Sequence, residues 1–389
     1  MPALAPARPA GRSSLPSASS RRAAANPTAS ATPPPSSPSP PPIWKPSASV
    51  IRIHSPVPGS PPPPPPPPHN PPPPPPLVSI LIPCHNAARW LGATLDSALA
   101  QTWPRCEIIV IDDGSTDDSP RLAASYANRG VQLLRQPQRG AAAARNATLN
   151  RARGDYLQFL DADDLLAPEK IASQITRLAA APAGSVASAA WTRFRDDPSI
   201  SQFIPEPVWC DALPLDWLVL SWSGGGMMHP AAWLVPAAVA HAAGPWNETL
   251  SLDDDGEYFT RVLLASSGVV HCPEARVYYR THATGSLSQA KNPAAWRSSH
   301  DVCLLVQQAA LAHENSPRVR HACALNHLRY AFHAWPHSSA RALARASLRE
   351  ARRLDPTARR PASGPRFERL AALIGWKAAR ILQHQFHLS

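Results

Sequence analysis

Gly154-Asp155-Tyr156-Leu157-Gln158-Phe159-Leu160-Asp161-Ala162-Asp163-Asp164 decides the fold. A short apolar run behind a glycine reads as a buried parallel strand. It halts in three carboxylates, and a helix can begin after Pro168. In an open α/β sheet, ligands bind beyond the carboxyl ends of the strands, so these acids stand where chemistry is done. Crowded carboxylates repel one another, and an oxygen-seeking divalent cation is the usual remedy. The plain alternative is an Asp-rich turn that caps the next helix.

Upstream, strands alternate with helices. Residues 77–82 predict a strand closed by Pro83-Cys84-His85-Asn86, followed by a helix over 87–101. Residues 107–111 predict a second strand, which ends in Asp112-Asp113-Gly114-Ser115-Thr116-Asp117. A helix over 119–127, a strand over 131–135 and a helix over 140–152 complete the run. This alternation predicts an α/β fold: a mostly parallel, Rossmann-like sheet flanked by helices. Downstream the pattern loosens. A strand is expected over 185–194, a flexible loop over 223–229 and a short strand over 232–235, while 208–222 has no clean period. A helix over 258–266 and a closing pair of strands, 269–272 and 275–280, follow. From 293 the chain reads as helical and Arg-rich, ending in one amphipathic helix over 367–386.

Charge divides the 389 residues in the same places. Residues 1–76 hold six Lys/Arg and no acid, 77–290 hold 16 against 22 acids, and 291–389 hold 16 against 5. We therefore expect a disordered Pro-rich segment over 1–76, a catalytic domain over 77–290 and a basic helical region over 291–389. A mildly acidic body argues against nucleic acid as a partner. The basic tail is a candidate for peripheral contact with the inner face of the membrane, or for packing on the catalytic body. The six cysteines form no CxxC pair and read as free thiols. With no long apolar span and no apolar signal core, the expected location is cytoplasmic.

Three predicted strand ends carry chemistry: Pro83-Cys84-His85-Asn86, Asp112-Asp113-Gly114-Ser115 and Asp161-Ala162-Asp163. In a parallel sheet they converge on one edge. Asp113, before a Gly-Ser turn, can accept a hydrogen bond from a nucleobase N–H, or simply cap its own turn. These segments, with 140–146, resemble family 2 glycosyltransferases of the GT-A fold from about Val78 to about Ser288. One departure is His85, where the family usually has Tyr.

The resemblance implies a nucleotide-diphosphate sugar as donor, a UDP-sugar favoured, and a glycan or lipid-linked acceptor. Pro83, His85, Asn86, Asp112, Asp113, Arg145 and Asp161 would contact the sugar donor. Asp163, with Asp161 and His282, would hold Mg2+ or Mn2+. Inverting transfer of a single sugar needs a carboxylate to deprotonate the acceptor hydroxyl. The resemblance places that base at Asp255, with Asp254 as its acidic neighbour and as the other candidate. The implied setting is the biosynthesis of cell-surface or secreted glycan. The competing reading is a non-catalytic binding scaffold on a degenerate GT-A frame, suggested by His85.

Overall fold

A computed structural model describes residues 74–282 and 290–386, all within one compact unit, Pro71–Ser389. The Pro-rich segment expected over 1–76 lies outside the described residues except for 74–76, as do 283–289. The strands are β1 (Val78–Cys84), β2 (Cys106–Asp113), β3 (Val131–Gln136), β4 (Tyr156–Phe159), β5 (Leu165–Leu166), β6 (Val186–Phe194), β7 (Val235–Pro236) and β8 (Val269–Arg280). Seven helices serve the sheets: α1 (Ala88–Leu99), α2 (Ser119–Ser125), α3 (Ala141–Arg151), α4 (Lys170–Ala179), α5 (Pro214–Leu220), α6 (Ala237–Ala243) and α7 (Asp254–Ala265). Five more follow: α8 (Pro293–His313), α9 (Pro317–Ala334), α10 (Arg341–Leu354), α11 (Pro365–Ile374) and α12 (Trp376–Phe386).

The main sheet has the order β3-β2-β1-β4-β7. Its first four strands are parallel and β7 is antiparallel. Ile80, Leu81, Ile82, Ile109 and Val110 are fully buried, which explains why β1 and β2 read as unbroken apolar runs. Helix α3 packs across both. Because β1, β2 and β4 run parallel, residues 83–86, 112–115 and 160–164 emerge along one edge.

A second sheet, β5-β8-β6, stands beside the first. The pair of strands expected over 269–280 is one continuous strand, β8. The break read at Pro273-Glu274 is a bulge, where the register jumps from Ala189↔Cys272 to Ala190↔Arg276. Proline has no N–H for the ladder, so it sits where pairing lapses. The helix expected at 258 begins at Asp254, which puts the acids in its first turn. Within 208–222 lies α5, and the expected loop at 223 begins as a π turn, Ser221–Gly225.

Helix α8 packs on α7, and α9 packs on both α8 and α10. The single helix expected over 367–386 is two helices. Gly375 parts them at φ +80°, a left-handed conformation that glycine adopts freely. No helix among the described residues is long and apolar enough to cross a membrane.

Candidate active site

The end of β4, the start of α7 and the middle of α3 meet through one guanidinium. Arg145 Nη2 donates to Asp161 Oδ1 at 2.9 Å, and its Nη1 donates to Asp254 Oδ2 at 2.8 Å. Its side chain is only 8% exposed and lies over the Trp246 ring at 4.6 Å. Buried between two carboxylates, it is locked in the charged state. Asn146, next on α3, fixes the approach to α7: its Oδ1 accepts the Trp246 N–H at 2.8 Å and its Nδ2 donates to Glu248 at 2.9 Å.

Asp254 is thus committed to Arg145. Among the described residues Asp255 has no ion pair, and it accepts from the Gly256 N–H at 2.9 Å. Burial first, then the charges of Asp254 and Asp253, push its carboxyl up to about 7. A carboxyl held there accepts a proton near neutrality, which an ordinary Asp at about 3.9 does poorly. The two candidates differ in circumstance: Asp254 anchors a cation, and Asp255 is poised to titrate.

Asp163 forms the second cluster. Its Oδ2 lies 2.6 Å from His282 Nε2. Burial raises its carboxyl, and Asp161 adds to the shift. Arg280 braces this turn: its Nε donates to the Asp163 carbonyl at 2.8 Å and its backbone N–H to Asp164 Oδ1 at 2.8 Å. The same guanidinium stacks over Trp90 at 4.4 Å, and Trp90 in turn contacts the His282 ring at 5.4 Å. Asp164 is wholly buried and held well above the usual carboxylate range by burial, then by Asp163 and Asp161.

Among the described residues no group of three or more His, Cys, Asp or Glu side chains could by itself hold a metal ion. The donor set still fits Mg2+ or Mn2+: a carboxylate and an imidazole side by side, in a cluster where Asp161 raises the Asp163 carboxyl and both raise Asp164. Mg2+ typically takes one or two carboxylates and fills its other positions with substrate phosphate and water.

The third cluster surrounds His85. Its Nδ1 lies 2.8 Å from the Asp113 carbonyl oxygen, which makes Nδ1 the protonated nitrogen. Nε2 then accepts from the amides of Asn86, at 3.1 Å, and Gln138, at 3.3 Å. Asp113 accepts from Gln136 Nε2, Arg139 N and Gly140 N at 2.7, 2.9 and 2.8 Å. A carboxylate offers about four lone-pair sites, so one stays open to a further hydrogen bond. Asp112 binds Ser115 N and Arg135 Nε at 3.2 and 3.1 Å. Asn86, at φ 50°, accepts from Thr116 N at 2.8 Å and so joins the ends of β1 and β2. Pro83 lies within β1 opposite Ile111.

The sequence reading missed Arg280 and Trp90. Arg280 stands two residues before His282, on the same side of an extended chain, and that spacing was the available signal. Trp222, Met227, Met228 and His229 stand where the resemblance would set the acceptor, and all are buried except Met227. His229 packs between Trp191 and Tyr279 at 5.3 and 5.2 Å, and burial holds it neutral, with its pKa lowered to about 3.

Residues 79–215 match the Glycosyl transferase family 2. The chain is 30% identical over 219 residues to the Uncharacterized glycosyltransferase RP339 of Rickettsia prowazekii, covering 56% of this chain and 67% of that one. A Rickettsia felis glycosyltransferase matches at 30% over 193 residues, 48% of this chain but only 31% of its own length. A third relative is the UDP-Glc:alpha-D-GlcNAc-diphosphoundecaprenol beta-1,3-glucosyltransferase WfaP of Escherichia coli, 41% identical over 100 residues, 25% of this chain and 40% of that one. Among solved structures, Staphylococcus aureus TarS 1–349 in complex with UDP superposes with a TM-score of 0.54 at 16% identity, covering 80% of this chain and 92% of that one. The fold is of the GT-A type, and the chain belongs to glycosyltransferase family 2.

Proposed function

We propose that the chain transfers one sugar, with inversion, from a nucleotide-diphosphate sugar to a hydroxyl of a glycan or lipid-linked acceptor, in the assembly of cell-surface or secreted glycan. The observation that carries this reading is the Arg145 bridge, which joins the turn of Asp161 to the helix that bears Asp255. In this reading the bridge joins the sugar-donor side to the acceptor side of one reaction. A UDP-sugar is favoured because TarS is solved with UDP and WfaP is named for a UDP-Glc donor. The acceptor in WfaP's name, a diphosphoundecaprenol-linked sugar, supports the lipid-linked class.

In this reading His85, Asn86, Pro83, Asp112 and Asp113 receive the nucleoside, and Asp161 with Arg145 orients the sugar donor. Asp163 and His282 would hold a divalent cation, with Asp161 beside them. When bound, that cation neutralises charge on the departing diphosphate. Asp255 takes the proton of the acceptor hydroxyl as its oxygen attacks the anomeric carbon. The bond to the diphosphate breaks on the opposite face, which inverts the configuration.

The test is a screen of nucleotide sugars by nucleotide release, with product mass spectrometry after incubation with cell extract. An anomerically inverted glycoside made by the wild type and not by Asp255→Asn supports the proposal. Binding of nucleotide sugar without transfer or hydrolysis across the panel refutes it in favour of a scaffold.

A further inference from the structure

We propose that the C-terminal helices dock the protein on an anionic membrane surface, with the corner between α11 and α12 as the point of entry. This inference concerns a second surface and does not depend on the transfer reaction. The inward sides of both helices are already used: Phe367 meets Phe332 edge-on at 5.4 Å, and Ala379 is buried in the same small cluster. What the break at Gly375 leaves outside is a protruding apolar pair, Leu373 at 82% and Ile374 at 45% exposure. Arg366 and Arg369 precede Leu373 by seven and four residues, so the three share one helical face.

The two cations on this outer face are uncompensated among the described residues. All five acids of 291–389 are engaged locally: Asp301 beside His300, Glu314 with Arg318, Glu350 with Arg353, Asp355 with His321 and Glu368 with Arg360. Arg366 and Arg369 have no acidic partner among the described residues. A cavity of about 570 Å3 has Leu328, Leu348 and Trp376 in its wall, with Arg352 and Arg359 and the paired acids Asp355 and Glu368 beside them. Apolar side chains at a tip, ringed by cations, suit a surface that is anionic outside and apolar beneath. Nucleic acid offers nothing for Leu373 and Ile374 to enter.

The full chain is sedimented with vesicles of phosphatidylglycerol and phosphatidylcholine, and separately with phosphatidylcholine alone. We expect binding to the anionic vesicles only, weakened by salt. Leu373→Asp with Ile374→Asp, and separately Arg366→Gln with Arg369→Gln, should each lower partitioning by at least about tenfold, given roughly 1 kcal/mol per basic residue near such a surface. All four side chains face outward, so the melting temperature should not change. The proposal is overturned by equal binding to both vesicle types, or by wild-type-like binding of both variants, which would move the contact to other basic segments. It is equally overturned if the wild type does not bind, which would leave the corner to a protein partner.

Discussion

Asp255 and Arg145 carry the sharpest consequences. Because burial and its acidic neighbours raise Asp255 to about 7, kcat/KM should climb tenfold per pH unit below that value and level off above it. Replacing Asp254 by Asn removes the nearest charge that raises Asp255, so the acid limb should move to lower pH. A limb that stays in place would show that another group titrates. Asp255→Asn should cut kcat by about a hundredfold or more with KM for the sugar donor little changed. For stability the direction is reversed. The folded state holds the Asp255 proton more tightly than the unfolded chain does, so its contribution fades as pH rises from the usual carboxylate range to about 7. The Asn variant should lose that slope in urea titrations. Arg145→Met leaves Asp161 and Asp254 facing each other without a cation, and should cost about 3 kcal/mol, given how strongly breaking a buried pair destabilises. Denaturant midpoints measure it, and a loss under about 1 kcal/mol would remove the bridge from the account.

Among the elements, the turn after β2 shows how local chemistry sets the site. Gly114 sits at φ +71°, and a Cβ there would lie 2.7 Å from the Gln138 backbone nitrogen. Gly114→Ala should therefore cost about 1–3 kcal/mol and displace the loop that holds Asp113. Calorimetry should show weaker UDP binding, and unchanged affinity would separate this turn from the nucleotide. This turn was legible in the sequence because Asp-Asp-Gly-Ser encodes its own geometry. The later elements were not. Pro273 read as a strand boundary because its missing N–H looks the same at a bulge as at an end. The break at Gly375 read as helix because an isolated glycine interrupts no apolar period. Phe367→Ala should test how α11 is held: amide protection in α11 and α12 should fall while α3 keeps its own. Equal loss everywhere would mean these helices unfold with the rest.

For the molecule as a whole, the parallel sheet and its acidic edge were readable because buried strands and helix spacing are local patterns. The pairings that join Arg145 to Asp254 and Asp163 to His282 span more than a hundred residues and leave no local trace. Lys170 makes the same point. It is fully buried, burial drives its pKa well below the usual lysine range, and its Nζ donates to Gln158 and to the Trp233 carbonyl. The central claim is that acids from separate crossings of the chain form one site for a nucleotide sugar. It is tested most directly by nucleotide release from the preferred sugar donor, with Mn2+ present, in wild type and in Asp163→Asn. The account predicts robust release by the wild type and release at background in the variant, whose melting temperature is retained. Release by Asp163→Asn at the wild-type rate would contradict it.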